Sequence, residues 1–245
     1  MYESISRSSC HRATKIIAIS NQTKADLIKF FGIEPNKIEV IYQSCNILYY
    51  DRVSEEQKSA ILLKFSLPEK FILSVGTIER RKNKLAILKA VVNKKLDLTV
   101  VILGKPTDYM NEINQYIHKT KIHNQVRFLV DANLNDLRVI YQMAEVMVYP
   151  SFFEGFGLPV LEAQVSGCPV ITSNISSLPE AGGDGAIYID PNDVLEISNS
   201  LNQVLSSEQL RNELIKKGIA NAELFREQFV GERLMKLFRE LAKKV

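Results

Sequence analysis

From Phe71 onward the chain repeats one pattern: a short apolar run, a turn, then a stretch with helical spacing. The runs are FILSV (71–75), LTVVIL (98–103), VRFLV (126–130), EVMVYP (145–150), PVITS (169–173) and AIYID (186–190). Helical stretches follow up to Lys95, at about 108–120 and 134–143, from Pro159 to Gly167, and at about 193–205 and 207–224. This alternation specifies an α/β fold, a parallel sheet with helices on both faces. The runs are apolar almost throughout, as strands covered on both faces must be. Right-handed crossovers then place every strand's carboxyl end on one edge, where such sheets bind ligands.

The first fifty residues hold the same elements in a shorter form. A helix is expected over 3–12, strand KIIAIS at 15–20, and a helix capped by Asn21 running to Phe31 and stopped by Gly32. Strand IEVIY (38–42) follows, then a connection over 46–54 and a helix at about 55–65, before Pro68.

Three strand-end features should converge on that ligand-binding edge: Gly76 to Lys82, Gly104-Lys105, and Glu154 to Leu158. The last lies in PSFFEGFGLPVLEA (150–163), where a strand ends, a glycine turn follows and Pro159 opens a helix. Unpaired N–H groups and the dipole of a helix start favour an anion, and the glycines allow it close approach. Arg81 and Lys82 could meet a diphosphate through charge-assisted hydrogen bonds. Glu162, placed in the first helical turn, could accept two hydrogen bonds from a ribose cis-diol. Glu154 would repel phosphate, so a sugar hydroxyl suits it better. Each feature also has a plain reading: Glu79-Arg80-Arg81-Lys82 as a solvated charged turn, Gly155–Leu158 as a tight turn without a ligand, and Gly104 as a turn glycine. Ser177-Leu178-Pro179-Glu180 reads as a capping box, and Glu180, Asp184 and Asp190 as cap or turn residues.

Composition narrows the function. A net charge of +3, with charges mixed along the chain, gives no case for nucleic acid. Three cysteines, an odd count without metal-ligand spacing, argue against a disulfide framework and fit a reducing cytoplasm. There is no apolar signal core and no run of about 18 apolar residues. No Ser-His-Asp, P-loop or GxGxxG pattern is present.

With these residues assembled, the chain resembles the retaining glycosyltransferases of family GT4, and within them the C-terminal, nucleotide-sugar-binding domain of the GT-B fold. The matching motifs are SVGTIERRKN (74–83), VILGK (101–105), VRFLVDANLNDLRVIYQMAEVMVYPSFFEGFGLPVLEA (126–163), SGCPVITSNISSLPE (166–180) and AIYIDP (186–191). Glu154 and Glu162, with seven residues between them, match the family's E-x7-E pair. The resemblance implies a Rossmann-like domain over 51–227, a remnant of the N-terminal acceptor domain over 1–50, and a crossover helix over 228–245. It implies transfer of a sugar from a nucleotide-diphosphate donor, GDP- or UDP-linked, to a glycan or lipid-linked acceptor, with no metal and no other cofactor. By resemblance Lys82 and Arg81 hold the diphosphate beside Gly76, Thr77 and Gly104. The amides of Gly155, Phe156, Gly157 and Leu158 face phosphate, Glu162 takes the ribose, and Glu154 lies near the donor sugar. Glu154 and Lys82 are the expected catalytic residues. Thr77 stands where many members carry arginine, and Val130 where a glycine is common. GTIERRKN and SLPE point toward mannosyl-transferring members.

Strands of the 1–50 remnant should keep open edges, which invite a homodimer, a swapped segment or local disorder. Phe30, Phe31, Ile41, Leu234, Leu237 and Phe238 are expected to form an exposed apolar patch. The basic segment RLMKLFRELAKKV (233–245) could touch anionic lipid at the inner face of a membrane.

Overall fold

A computed structural model describes residues 2–243. Met1 and the last two residues of the expected 228–245 segment lie outside the described residues. The strands are β1 (Ile16–Ala18), β2 (Ile38–Val40), β3 (Phe71–Val75), β4 (Thr99–Leu103), β5 (Val126–Leu129), β6 (Val146–Tyr149), β7 (Val170–Ser173) and β8 (Ala186–Ile189). The helices are α1 (Tyr2–Arg12), α2 (Asn21–Phe31), α3 (Glu55–Phe65), α4 (Lys84–Lys94), α5 (Tyr109–Thr120), α6 (Leu134–Met143), α7 (Leu158–Val165), α8 (Leu178–Gly182), α9 (Val194–Ser206), α10 (Glu208–Glu223) and α11 (Glu227–Ala242).

Strands β3 to β8 form one parallel sheet in the order β5-β4-β3-β6-β7-β8. The order reverses between β3 and β6. In such a sheet the crevice at that switch point is the ligand site. Apolar side chains cover both faces: Leu73, Val101, Met147 and Val170 point to one core, Ile72, Val100, Val148 and Ile171 to the other. The alternation follows from the two-residue period of a strand.

Strands β1 and β2 pair in parallel as a separate two-stranded sheet with a small core of Ala18, Ile33 and Ile38. The connection after them contains a 3-10 turn, Ile47–Tyr50, whose Tyr49 is buried in the main core against Tyr141. Of the expected apolar patch, Phe30 and Phe238 are exposed, but Ile41 and Leu237 are buried.

Two caps differ from the sequence reading. Ser20, not Asn21, caps α2, its Oγ accepting from the Thr23 N–H. Ser177 makes no side-chain cap bond to α8. Instead Glu180 reaches across the chain to α2: Oε2 accepts from Asn21 N at 2.7 Å and Oε1 from Gln22 N at 2.9 Å, with Tyr42 Oη donating at 3.1 Å. A carboxylate at a helix start meets orphan donors and a favourable dipole. Glu180→Ala is therefore expected to cost about 1–2 kcal/mol, read as a lower urea midpoint by circular dichroism.

Candidate functional site

The β3–α4 and β6–α7 turns meet at the switch point. After Val75, Gly76 takes φ +101°, and Arg80–Lys82 form one 3-10 turn ending at Asn83, itself left-handed at φ +53°. This turn folds Lys82 back so that its methylene stem lies over Gly76. Gly104, at the end of β4, packs so closely on the Gly76 carbonyl that a Cβ would come within 2.0 Å of it. Here glycine is required by close backbone approach, not by turn geometry alone.

Lys82 Nζ meets Glu154 Oε1 at 2.5 Å and also donates to Tyr149 Oη. Tyr149 Oη in turn donates to Glu154 Oε1 at 3.0 Å. Arg81 Nη1 lies 3.0 Å from Glu154 Oε2 and donates to the Phe153 carbonyl, while Nη2 binds Glu79 Oε1 at 2.6 Å. Glu154 is 8% exposed. Burial pushes its carboxyl up, but Lys82 and Arg81 outweigh burial and hold it below the usual carboxylate range. The charged turn is thus an ordered cluster around one carboxylate. Arg80 stands outside the cluster, exposed and paired with Glu112.

The loop after Glu154 is held from two sides. Ser176 and Ser177 donate to the Glu154 carbonyl at 2.9 and 2.8 Å, and Ser177 also reaches the Phe156 carbonyl. From the N-terminal unit, Ser20 and Thr23 donate to the Gly155 carbonyl at 2.7 and 3.2 Å. The Phe156 ring is buried between Tyr42 and Phe225, so only its backbone could serve a ligand. Gly157, at φ +119°, starts α7 against Leu178 of α8. The N–H groups of Gly155, Phe156 and Gly157 have no protein acceptor among the described residues.

Leu158 opens α7, which puts Glu162 in the second turn rather than the first. Its Oε2 accepts from Tyr141 Oη at 2.9 Å. Burial raises the Glu162 carboxyl above its ordinary value, with the Tyr141 hydrogen bond opposing. No contact joins Glu162 to the Lys82–Glu154 cluster among the described residues. Thr77 is exposed beside Gly76. The sequence reading did not anticipate Tyr149, Tyr141, Ser176 or Ser177. Their hydroxyls lie within apolar runs or serine-rich turns, and nothing local marks their partners.

A groove of about 570 Å³ lies elsewhere, lined by Tyr42, Phe225, Phe229 and Val230 with Arg233 and Lys236. None of the expected donor residues line it. Among the described residues no helix is long and apolar enough to cross a membrane.

The family model of the glycosyl transferases group 1 matches residues 54–221. The O-antigen chain mannosyltransferase B of Escherichia coli is 32% identical over 218 residues, spanning 87% of this chain and 57% of that protein. RfbU, an O-antigen chain mannosyltransferase of Salmonella typhimurium, is 31% identical, spanning 76% of this chain and 49% of the relative. The chain thus spans about half the length of these curated relatives. Among solved structures, a glycosyltransferase from Rickettsia africae superposes with a TM-score of 0.87 at 20% identity, over 95% of this chain and 64% of that one. HepE of Anabaena, solved with UDP and glucose, gives 0.86 at 19% identity, over 94% and 64%. With the family model covering most of the chain, and a switch-point edge carrying its charged cluster, the chain belongs to the group 1 glycosyl transferases.

Proposed function

We propose that this chain carries the donor half of a retaining sugar transfer. It would bind a nucleotide-diphosphate sugar at the β3/β6 switch point and present the anomeric carbon to an acceptor hydroxyl. The observation that carries this reading is the Arg81–Lys82–Glu154 cluster, two cations converging at a strand-end crevice beside unpaired loop amides. A diphosphate would draw Arg81 and Lys82 away from Glu154 and accept from the Gly155–Leu158 turn. Glu154, released from its cations, would face a hydroxyl of the donor sugar. As the bond from the anomeric carbon to the phosphate oxygen breaks, charge develops on the departing diphosphate. Fixed cations and amides stabilise that charge without reorganising. The transition state would be oxocarbenium-like, and retention follows if the acceptor attacks from the leaving-group face.

Mannose is the sugar we assign, on the likeness to two O-antigen chain mannosyltransferases, for a place in cell-surface polysaccharide synthesis. GDP and UDP both remain candidates for the carrier: HepE is solved with UDP. A second reading is a non-catalytic donor-binding subunit whose partner chain supplies the acceptor wall.

Calorimetric titration with GDP, UDP, ADP and their sugars tests the donor reading; failure of all of them to bind at millimolar concentration would refute it. Glu162 has its own test. The nucleotide that binds is expected to lose about 10–100-fold in affinity when its ribose is 2′,3′-dideoxy, because charge-assisted hydrogen bonds are lost. Glu162→Ala should erase that preference. An undiminished preference in the variant would remove Glu162 from the ribose site.

A further inference from the structure

Lys84 is the first residue of α4 and is completely buried, yet nothing in the proposed chemistry uses it. Its Nζ donates to Ser74 Oγ on β3 at 3.2 Å and has no other acceptor among the described residues. An ammonium carries three donors. Three features of the place oppose a charge there. Burial removes water, the start of a helix is the positive end of its dipole, and Lys82 is a nearby like charge. Burial first, then Lys82, draws the Lys84 ammonium down to about 7, while Glu154 and Glu79 work against them. If the stem alone mattered, leucine or methionine would fill the space without a buried amine.

We infer that Lys84 is a buried positioning cation of the donor site, one that takes up a proton when an anionic diphosphate seats on Arg81 and Lys82. The inference rests on the donor reading above. In the unliganded protein Glu154 satisfies Lys82 and Arg81, so little negative charge is left for Lys84. A diphosphate brings negative charge to the same turn, and the Lys84 amine gains a proton from solvent. Proton uptake and donor binding then strengthen each other, so affinity falls as pH rises.

The charged groups bearing on Lys84 are Lys82 and Glu79 from its own turn and Glu154 from the β6–α7 turn. β3 offers the Ser74 hydroxyl. From α5, Tyr109 Oη accepts from Leu85 N and Glu112 is paired with Arg80. From α9, Ser198 binds the Ala90 carbonyl and Glu196 accepts from Asp190 N. Among the described residues no carboxylate pairs with Lys84.

Titrate the full chain with UDP-glucose and with GDP-mannose at pH 8, in buffers of differing ionisation enthalpy. Both phosphates of a nucleotide sugar are already ionised there, so the ligand takes up no proton itself. Wild type is expected to take up roughly half a proton or more per ligand, with affinity falling several-fold between about pH 7 and 8.5. Lys84→Met should bind with no uptake and a flat profile over that range. Lys84→Arg, which keeps its charge at every pH used, should also be flat and covers the case of a poorly folded Met variant. Binding by wild type without proton uptake, or equal uptake in either variant, would overturn the inference and leave the donor reading intact. If neither nucleotide sugar binds wild type, the donor reading falls and this inference with it.

Discussion

Lys82→Met is expected to weaken binding of the nucleotide diphosphate by about 100-fold or more and to destabilise the protein as well. The first effect is the loss of a buried charge-assisted contact to phosphate, about 2–3 kcal/mol. The second comes from Glu154. Lys82 and Glu154 side chains are each 11% exposed, so their pair is largely shielded from solvent. Removing one partner from a buried pair costs about 3–5 kcal/mol, because a charge is left without its counterion. Arg81 still lies 3.0 Å from Glu154 Oε2, at 41% exposure, and offsets part of that cost. A loss of about 2–3 kcal/mol is the expectation, measured as a lower urea midpoint.

Two controls separate the effects. In Lys82→Met with Glu154→Gln the unpaired charge is gone, so stability should return while nucleotide affinity stays low. Recovery of affinity in the double variant would mean that Lys82 acts only by holding Glu154. The pH dependence gives the second control. In wild type the folded Glu154 carboxyl is held below its ordinary value, so it contributes stability above the ordinary carboxylate range. That contribution is lost as pH falls through the lowered value. In Lys82→Met burial is less opposed and the folded carboxyl titrates higher, closer to its unfolded value, so the stability lost on acidification should be smaller than in wild type. Unchanged acid profiles in the two proteins would refute the ion-pair account of Glu154.

The sheet was legible because each strand from Phe71 on is an apolar run bounded by glycine, proline or a polar turn. That pattern is local and needs no knowledge of partners. The convergence of Gly76, Gly104 and the 154–158 turn was also legible, since parallel strands put their carboxyl ends on one edge. What the pattern could not carry was the pairing of polar groups far apart in sequence. Glu180 looked like the end of a capping box for its own helix, yet it serves Asn21 and Gln22, 159 and 158 positions away. Ser177 lost its cap role because its hydroxyl is taken by the Glu154 and Phe156 carbonyls. Lys84 reads in sequence as one more basic residue in a charged turn, but helix phase turns it inward while Arg80 points out. Glu162 was placed in the first turn, but the helix already begins at Leu158, which makes Glu162 its fifth residue.

Gly104→Ala is expected to be the most damaging single-methyl change in the chain. An added Cβ would sit 2.0 Å from the Gly76 carbonyl oxygen and 2.6 Å from its carbon, and both are backbone atoms. No side-chain rotation can relieve that overlap. Gly104 N donates to the Leu129 carbonyl and Gly76 N to the Leu103 carbonyl, so the ends of β3, β4 and β5 are tied together here. Relief requires moving β4 away from β3 in the centre of the sheet, at a cost of about 3 kcal/mol or more. That corresponds to a fall in Tm of roughly 6–12 °C for a chain of this size. The comparison is Gly32→Ala at the end of α2, where φ is +66° and nothing lies within 4 Å of the new Cβ. There only left-handed strain applies, about 1–2 kcal/mol. Displacing Gly76 also moves the turn that carries Lys82, whose stem rests on it. The Gly104 variant should therefore lose nucleotide affinity even below its melting temperature, whereas the Gly32 variant should keep it. Equal stability losses in the two variants would show that the close approach of the β3 and β4 ends is not what glycine at position 104 is for.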